Sequence, residues 1–484
     1  MDLKTENHKC AAKVRRLFDA FSRESVHSCV WKSSDRWEEG TTGKTDIDLL
    51  VDKSQFTKAI DCLVCEGWLL IEAESWRTFS DILDFITFEN GECLHVHLHS
   101  KIVSGEKMVK SLRPPLTNLY LRRTPVNSYP PFVEPELEFI LLMVRITLKI
   151  SFIDIAGALK RRSRIAVYRN YIEEYDVLRR QCNRLKISKL LDEPELRCLP
   201  SKVILAAFDN LDYFNFSERR AIRKSIVGWR PLSWWSVYVG TPWRKFLKYR
   251  DGHGKHLPFS GFSIAVCGPD GSGKTTLVGA LNKKIASQMQ VQRFYMGGNM
   301  RQPGRLRGAV MRTLWVPYLL MRKTFKITRW KWAVNHVELL YTGLDAFLMR
   351  AEKMRRLASA CEASSRGEIV LFERYPLFYP YGDDMQKTVH TDGDTQQRKP
   401  DLLVLLDIDE NIAFSRRPSD NRNILKSKIA AFRLFKKSLE GLEGEVIVLN
   451  AQVPVAVNVE VILEHLSERL STKMQAFRFG VIKL

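Results

Sequence analysis

Cysteine is scarce and scattered in this chain: nine residues in 484, an odd number. That excludes a disulfide scaffold and suits a reducing compartment. Long apolar runs are missing as well. The most apolar stretch, residues 137–159, is broken by Arg145, Lys149 and Asp154, so nothing reaches the roughly 18 uncharged residues that span a bilayer. The opening MDLKTENHKC has no apolar segment of the signal-peptide kind. There is no internal repeat and no low-complexity tract. With 45% hydrophobic and 27% charged residues, wholesale disorder and a collagen-like chain are excluded too. The expectation is a cytoplasmic protein of two to four domains, since domains average roughly 100–200 residues.

Acidic residues are in short supply, and only in one region. Lys plus Arg is 76 against 55 Asp plus Glu, a formal charge of +21. Residues 1–100 carry 12 basic and 18 acidic side chains, whereas 101–350 carry 44 and 18. The same middle region holds Trp229, Trp234, Trp235, Trp243, Trp315, Trp330 and Trp332. Two stretches, 228–250 and 312–332, interleave tryptophan with Lys and Arg. Such interleaving suits peripheral contact with an anionic membrane at its inner face, or stacking on single-stranded nucleic acid. It equally suits a plain helical surface with Trp in the core and Arg in solvent. Packing is the first expectation, membrane contact the second, and nucleic acid the weakest.

Patterning divides the chain into 1–112, 113–258 and 259–484. Val14, Leu17, Phe18 and Phe21 recur at helical spacing, TDIDLLVD alternates as a strand, and FTKAIDCLVCEGW is helical. DILDFITFENGECLHVHLHS predicts a hairpin turning at Asn90-Gly91. The Pro-rich segment LRPPLTNLYLRRTPVNSYPPFVEPE predicts an extended linker, and a basic helical region follows. After DGHGKHLPFS at 251–260, strand and helix alternate to the end. That predicts an α/β domain: a P-loop parallel sheet with helices on both faces.

FSIAVCGPDGSGKTTLVGAL is the most informative segment. Gly268-Pro269-Asp270-Gly271-Ser272-Gly273-Lys274-Thr275, followed by Thr276, fits G-x-x-x-x-G-K-[ST] at every fixed position. Glycines let successive backbone N–H groups turn toward phosphates, and the helix that follows adds its positive end. Lys274 reaches the β- and γ-phosphates of ATP, and the Thr275 hydroxyl is placed for Mg²⁺. The strand before and the helix after supply the context that this loop requires.

The loop, with Asp270 inside it, resembles that of the thymidylate kinases. Three later segments resemble the family in order: GEIVLFERYP at 367–376, RKPDLLVLLDIDENIAFSRR at 398–417 and EVIVLNAQVPVAVNVEVILEHL at 445–466. The resemblance implies transfer of the ATP γ-phosphate to a nucleoside monophosphate, dTMP, with ATP and Mg²⁺. By the same resemblance Asp270 holds the acceptor sugar and Arg374 its phosphate. Glu373 organises Mg²⁺ or the transferring group, Arg416 and Arg417 close over the donor, and Arg301 contacts the acceptor. Glu373 stands where the family has aspartate, and 310–351 is longer and more basic than the family's acceptor pocket. Two alternatives therefore stay open: a glycan or lipid-linked acceptor at the membrane, and a nucleotide-binding regulator of weak turnover. A homodimer is compatible with the sequence. Asp407 and Asp409 read as a strand end and a helix N-terminus before metal ligands.

In the first region, Asp46 and Asp48 lie two apart and should share a strand face, a pattern that suits Mg²⁺. The segment resembles the nucleotidyltransferase superfamily, giving a small α+β nucleotidyltransferase-like domain ahead of the helical basic region. WKSS at 31–34 stands where that superfamily has Gly-Ser, and His97 or Asp84 near its third carboxylate. The resemblance leaves an active site and a binding relic both open. His95, His97 and His99 alternate on one face, and Cys62 and Cys65 form a lone pair better read as a helix face than as a zinc site.

Overall fold

The computed structural model describes residues 3–74, 79–105, 109–126, 128–149, 165–211, 214, 216–230, 234–251, 254–297, 305–327, 330–375, 399–439 and 446–481. The chain divides into two compact units, residues 1–258 with 460–484, and residues 259–459.

The first unit is built on a mixed sheet of order β1-β2-β5-β4-β3-β6. Its strands are β1 (Ser28–Val30), β2 (Ile47–Val51), β3 (Leu69–Ala73), β4 (Ile82–Glu89), β5 (Glu92–His99) and β6 (Lys255–His256). β4 and β5 form the expected hairpin, with Glu89 opposite Glu92. Asn90 (φ 52°) and Gly91 (φ 74°) turn it, both in the left-handed region that such a tight turn requires. β2 runs parallel to β5 and sets Asp48 opposite His97. Helices α1 (Leu3–Arg23), α2 (Trp37–Thr41) and α3 (Phe56–Cys65) accompany the sheet. Val14, Leu17, Phe18 and Phe21 of α1 are buried.

The segment expected to be an extended linker contains a helix, α4 (Thr117–Arg122). Leu116, Leu119, Tyr120 and Leu121 are buried there, and burying them stabilises a short turn that propensity alone does not favour. Then follow α5 (Pro135–Lys149), α6 (Ile165–Gln181), α7 (Arg184–Leu190), α8 (Ser201–Asp209), α9 (Phe216–Ser225) and α10 (Trp234–Asp251). One apolar core joins Cys29, Trp31 and Leu50 of the sheet region to residues as far along as Trp229. That shared core is why the helical region does not separate from the sheet it follows.

The second unit is a five-stranded sheet, parallel throughout, of order β11-β10-β7-β9-β8. Its strands are β7 (Phe262–Cys267), β8 (Val291–Tyr295), β9 (Ile369–Glu373), β10 (Leu402–Asp407) and β11 (Val446–Asn450). The central strands are near-continuous apolar runs, as strands covered on both faces must be. The helices are α11 (Lys274–Ile285), α12 (Arg305–Ile327), α13 (Lys331–Ser365), α14 (Glu410–Arg416), α15 (Arg422–Ser438) and α16 (Val455–Val481), the last running on into the first unit. Strand order reverses at β7, which puts a crevice at the carboxyl ends of β7, β9 and β10, where open sheets of this kind bind ligands.

Candidate functional site: a phosphate loop between two cavities

β7 ends at Cys267 and α11 begins at Lys274, so the loop 268–273 is the short connection the motif demands. Gly271 (φ 88°) and Gly273 (φ 84°) occupy the left-handed region. A Cβ at Gly268 would stand 2.7 Å from Ser272 Oγ and 2.8 Å from Leu406 O, a clash no side chain avoids. Lys274 is buried and donates to Pro269 O at 2.6 Å and to Ser272 Oγ at 3.4 Å. Burial, then the nearby Arg374 charge, pulls its ammonium down to about 8.

Glu373 and Arg374 close β9 opposite the loop. The Thr275 hydroxyl donates to Glu373 Oε1, and Arg293 Nη2 donates to Glu373 Oε2 at 2.7 Å. Arg374 has φ 65°, left-handed for a side chain with a Cβ, a conformation that costs on the order of 1–3 kcal/mol and concentrates at functional sites. Its backbone N–H on Val266 O (3.0 Å) holds it there. Its guanidinium donates to Asp270 Oδ1 at 2.6 Å, and Lys428 Nζ to Asp270 Oδ2 at 3.0 Å. Burial works against charge on Asp270, but Arg374 and Lys428 outweigh it and hold the carboxyl below its ordinary value.

Of the two arginines after β10, Arg416 reaches back to the phosphate loop, donating to Gly271 O (3.3 Å) and Ala451 O (3.1 Å). Arg417 pairs with Asp420 at 3.4 Å. Asp409 caps α14 by accepting from Asn411 N at 2.8 Å, and Asp407 pairs with Lys436 at 2.8 Å. Asp401 clamps the start of β7 through Ser263 N and Oγ. Arg301 lies outside the described residues.

Two cavities adjoin at Asp270, Arg374 and Arg417. One, of about 560 Å³, opens on the phosphate loop and Arg416. The other, of about 610 Å³, is lined also by Lys353, Lys428, Met349 and Asp420. Three participants were missed by sequence reasoning: Arg293, Lys353 and Lys428. None sits in a motif, and only the β8–β9 register and the placement of α13 and α15 bring them in.

The first unit holds a second polar cluster. Asp46 lies just before β2 rather than on it, half exposed, while Asp48 on the strand is buried. His95 Nδ1 stands 2.5 Å from Asp46 Oδ1, and His97 Nε2 2.9 Å from Asp84 Oδ1. His97 Nδ1 and His99 Nε2 both face Asp48 Oδ1, at 3.3 and 3.1 Å. Asp46, His95 and His97 offer ligand atoms within 4.8 Å of one another, as do Asp48, His97 and His99. Two lysines also enter: Lys32 Nζ is 3.0 Å from Asp48, and Lys255 Nζ is 3.3 Å from Asp84 and 3.0 Å from His95 Nε2. Ser34, in the segment read as a degenerate Gly-Ser element, is held through its N–H and hydroxyl by Glu138 at 3.1 and 2.6 Å. Cys62 of the CxxC pair is buried in α3 and Cys65 exposed.

No family model matches the chain. Among solved structures, the deoxyadenosine kinase of M. mycoides with bound dATP superposes with a TM-score of 0.26 at 15% identity, over 42% of this chain and 99% of that one. A TM-score so low leaves the fold assignment to the strand order and loop described above. Among curated proteins, the uncharacterized ATP-binding protein YghR of Escherichia coli (strain K12) is 25% identical over 186 residues, 34% of this chain and 73% of its own. The uncharacterized ATP-binding protein YghS of the same strain is 30% identical over 196 residues, again 34% of this chain and 78% of its own length. With a phosphate loop at its centre and that share of its relative covered, the chain belongs to the family of the ATP-binding protein YghS.

Proposed function

We propose that the second unit is an ATP- and Mg²⁺-dependent phosphotransferase whose acceptor itself carries a phosphate. A nucleoside monophosphate is the class implied by the sequence resemblance, and dTMP is the first member to test. One observation carries this reading: two cavities of similar size meet at Asp270, Arg374 and Arg417, one on the phosphate loop and one beside it. The second is lined by Lys353, Arg374, Arg417 and Lys428 against Asp270 and Asp420, an excess of positive charge that favours an anionic acceptor.

The donor set fits a hard cation. Thr275 and Glu373 present a hydroxyl and a carboxylate to each other, the oxygen ligands that Mg²⁺ prefers. Thr275 and Glu373 would hold Mg²⁺, which would supply positive charge against the nucleotide phosphates. Lys274 exchanges its bond to Pro269 O for phosphate oxygens, and the loop N–H groups receive the β-phosphate. Arg374 and Lys428 hold the acceptor phosphate. One of its oxygens, already largely ionised near neutral pH, forms the new bond to Pγ. The bond from Pγ to the bridging oxygen breaks and ADP leaves with that electron pair. Arg416 and Arg417 supply positive charge where negative charge spreads in the transition state.

For the first unit, the reading best supported is a charge-balanced network in place of a working nucleotidyl-transfer centre. Asp46, Asp48 and Asp84 face Lys32, Lys255 and His97, whose imidazole the Asp48 and Asp84 carboxylates lift to about 9. Cations of the chain itself stand against the carboxylates that a catalytic metal would need.

The test is ADP release from Mg·ATP with each nucleoside monophosphate, on the wild type and on Lys274→Ala. Acceptor-dependent release, lost in the variant, is expected. Tight ATP binding without turnover on any nucleotide moves the assignment to a non-nucleotide acceptor or to a regulator.

A further inference from the structure

We infer that the helical hairpin α12–α13 is a docking surface for an anionic lipid bilayer. The two helices are braced against each other. Tyr318 and Tyr341 stack with ring centroids 4.2 Å apart, Arg322 Nη2 lies 2.9 Å from Glu338, and Arg307 grips Asp345 through two bonds. The far end of α13 is anchored, with Ala360 and Ala363 buried in the sheet's core. Away from that end and from the buried Arg307 and Ala333, much of the described hairpin surface is exposed.

What it leaves uncovered is apolar and aromatic. On α12, Val316, Leu319 and Leu320 are exposed, Leu320 by 61%. They form a stripe at helical spacing with Arg312 before it and Lys323 after it, both exposed. On α13, Trp332, Leu339, Leu340 and Phe347 repeat the pattern, with Leu340 exposed by 73%. Large aliphatic side chains at such exposure, in so continuous a set, mark an interaction surface.

Charge says what covers it. Residues 312–332 contain six Lys and Arg and no Asp or Glu. Two copies of this chain meeting through a two-fold axis would set those like charges against each other, whereas a bilayer with anionic headgroups neutralises them. Trp315, Trp330 and Trp332 are all exposed, and indole, with an apolar body and one polar N–H, belongs at the boundary between headgroups and acyl chains. The helices lie on the surface, because among the described residues no helix is long and apolar enough to cross. The hairpin also adjoins the chemistry. Met349 and Lys353, which line the second cavity, lie on α13 nine and thirteen residues beyond Leu340, about 14 and 20 Å along the axis. Docking does not depend on which acceptor the cavity takes.

The test is co-sedimentation of the full chain, without nucleotide, with vesicles of phosphatidylcholine alone and with 30% phosphatidylglycerol added, at about 50 and 500 mM salt. Two variants accompany the wild type: Leu320→Glu with Leu340→Glu, and Arg312→Glu with Lys323→Glu, the latter at exposed surface positions where folding is not at stake. The expected result is sedimentation with the anionic vesicles only, weakened by salt, and reduced at least tenfold in both variants. Three results overturn the inference: no vesicle binding at low salt, binding untouched by both variants, or a protein dimer in analytical ultracentrifugation that Leu320→Glu with Leu340→Glu dissolves while vesicles are ignored.

Discussion

Arg374 Nη2 stands 2.6 Å from Asp270 Oδ1, tying the end of β9 to the middle of the phosphate loop. The pair lies where the two cavities meet. Asp270 therefore sets the position of a cation that lines both cavities. Lys428, from α15, is held on the other oxygen and lines the second cavity.

Asp270→Ala should release both cations from their fixed positions. The expected outcome is a rise in acceptor KM of about tenfold to a hundredfold, corresponding to about 1–3 kcal/mol for a charge-assisted contact, with ATP affinity changed far less. Steady-state kinetics with each substrate varied in turn checks it. An equal loss for ATP and acceptor would contradict the assignment of Asp270 to the acceptor side.

Glu373 has one oxygen on Thr275 and one on Arg293. Glu373→Gln keeps the shape and removes the charge. The Mg²⁺ concentration needed for half-maximal rate should rise, and turnover should fall by roughly two orders of magnitude, as when a transition-state electrostatic contact is lost. Unchanged Mg²⁺ dependence would place the metal elsewhere.

The cluster in the first unit makes stability depend on pH in two directions. His97 is lowered by burial, but the hydrogen bonds and charges of Asp48 and Asp84 outweigh this and lift it to about 9. Its contribution is complete below the ordinary imidazole value near 6.5 and is lost as pH rises through 9. His99 is pushed down to about 4 by burial, which Asp48 does not offset. Its Nδ1 is buried without a partner, against the edge of Trp31. The unfolded chain takes up a proton there between 6.5 and 4 and the folded chain does not, so stability falls as pH drops through that window. Urea unfolding should therefore peak near pH 6.5. His97→Gln should flatten the alkaline limb by on the order of 2–3 kcal/mol.

Lys255 is buried between Asp84 and His95. Lys255→Met leaves a buried carboxylate short of a cation and should cost about 3–5 kcal/mol of unfolding free energy. A change under about 1 kcal/mol would show that the network is better solvated than its burial implies.

Much of this was legible in the sequence, for identifiable reasons. The phosphate loop is a local structure whose φ values and close approaches depend on glycines at fixed spacing, so Gly268–Thr275 announces itself. The Asn90-Gly91 hairpin and the strand–helix alternation after residue 260 are local too. What was hidden is what tertiary packing assembles. Lys255 meets His95 across 160 residues, and Lys428 meets Asp270 across 158. Asp46 and Asp48 both face His97, as their spacing of two implies, although β2 begins at Ile47 and leaves Asp46 just ahead of the strand. The segment around Thr117–Arg122 is helical because its apolar residues are buried, which its prolines conceal. Of the tryptophans, Trp229 is core, as plain packing requires, while Trp243, Trp315, Trp330 and Trp332 are exposed. Sequence alone could not sort them.

The most direct test of the central claim follows the phosphate itself. Mg·ATP labelled on the γ-phosphate is incubated with dTMP and the other nucleoside monophosphates, on wild type and Lys274→Ala prepared side by side. Label should appear on a nucleoside diphosphate, with transfer reduced at least a hundredfold in the variant. Label released only as inorganic phosphate, or transfer that survives Lys274→Ala, would contradict it.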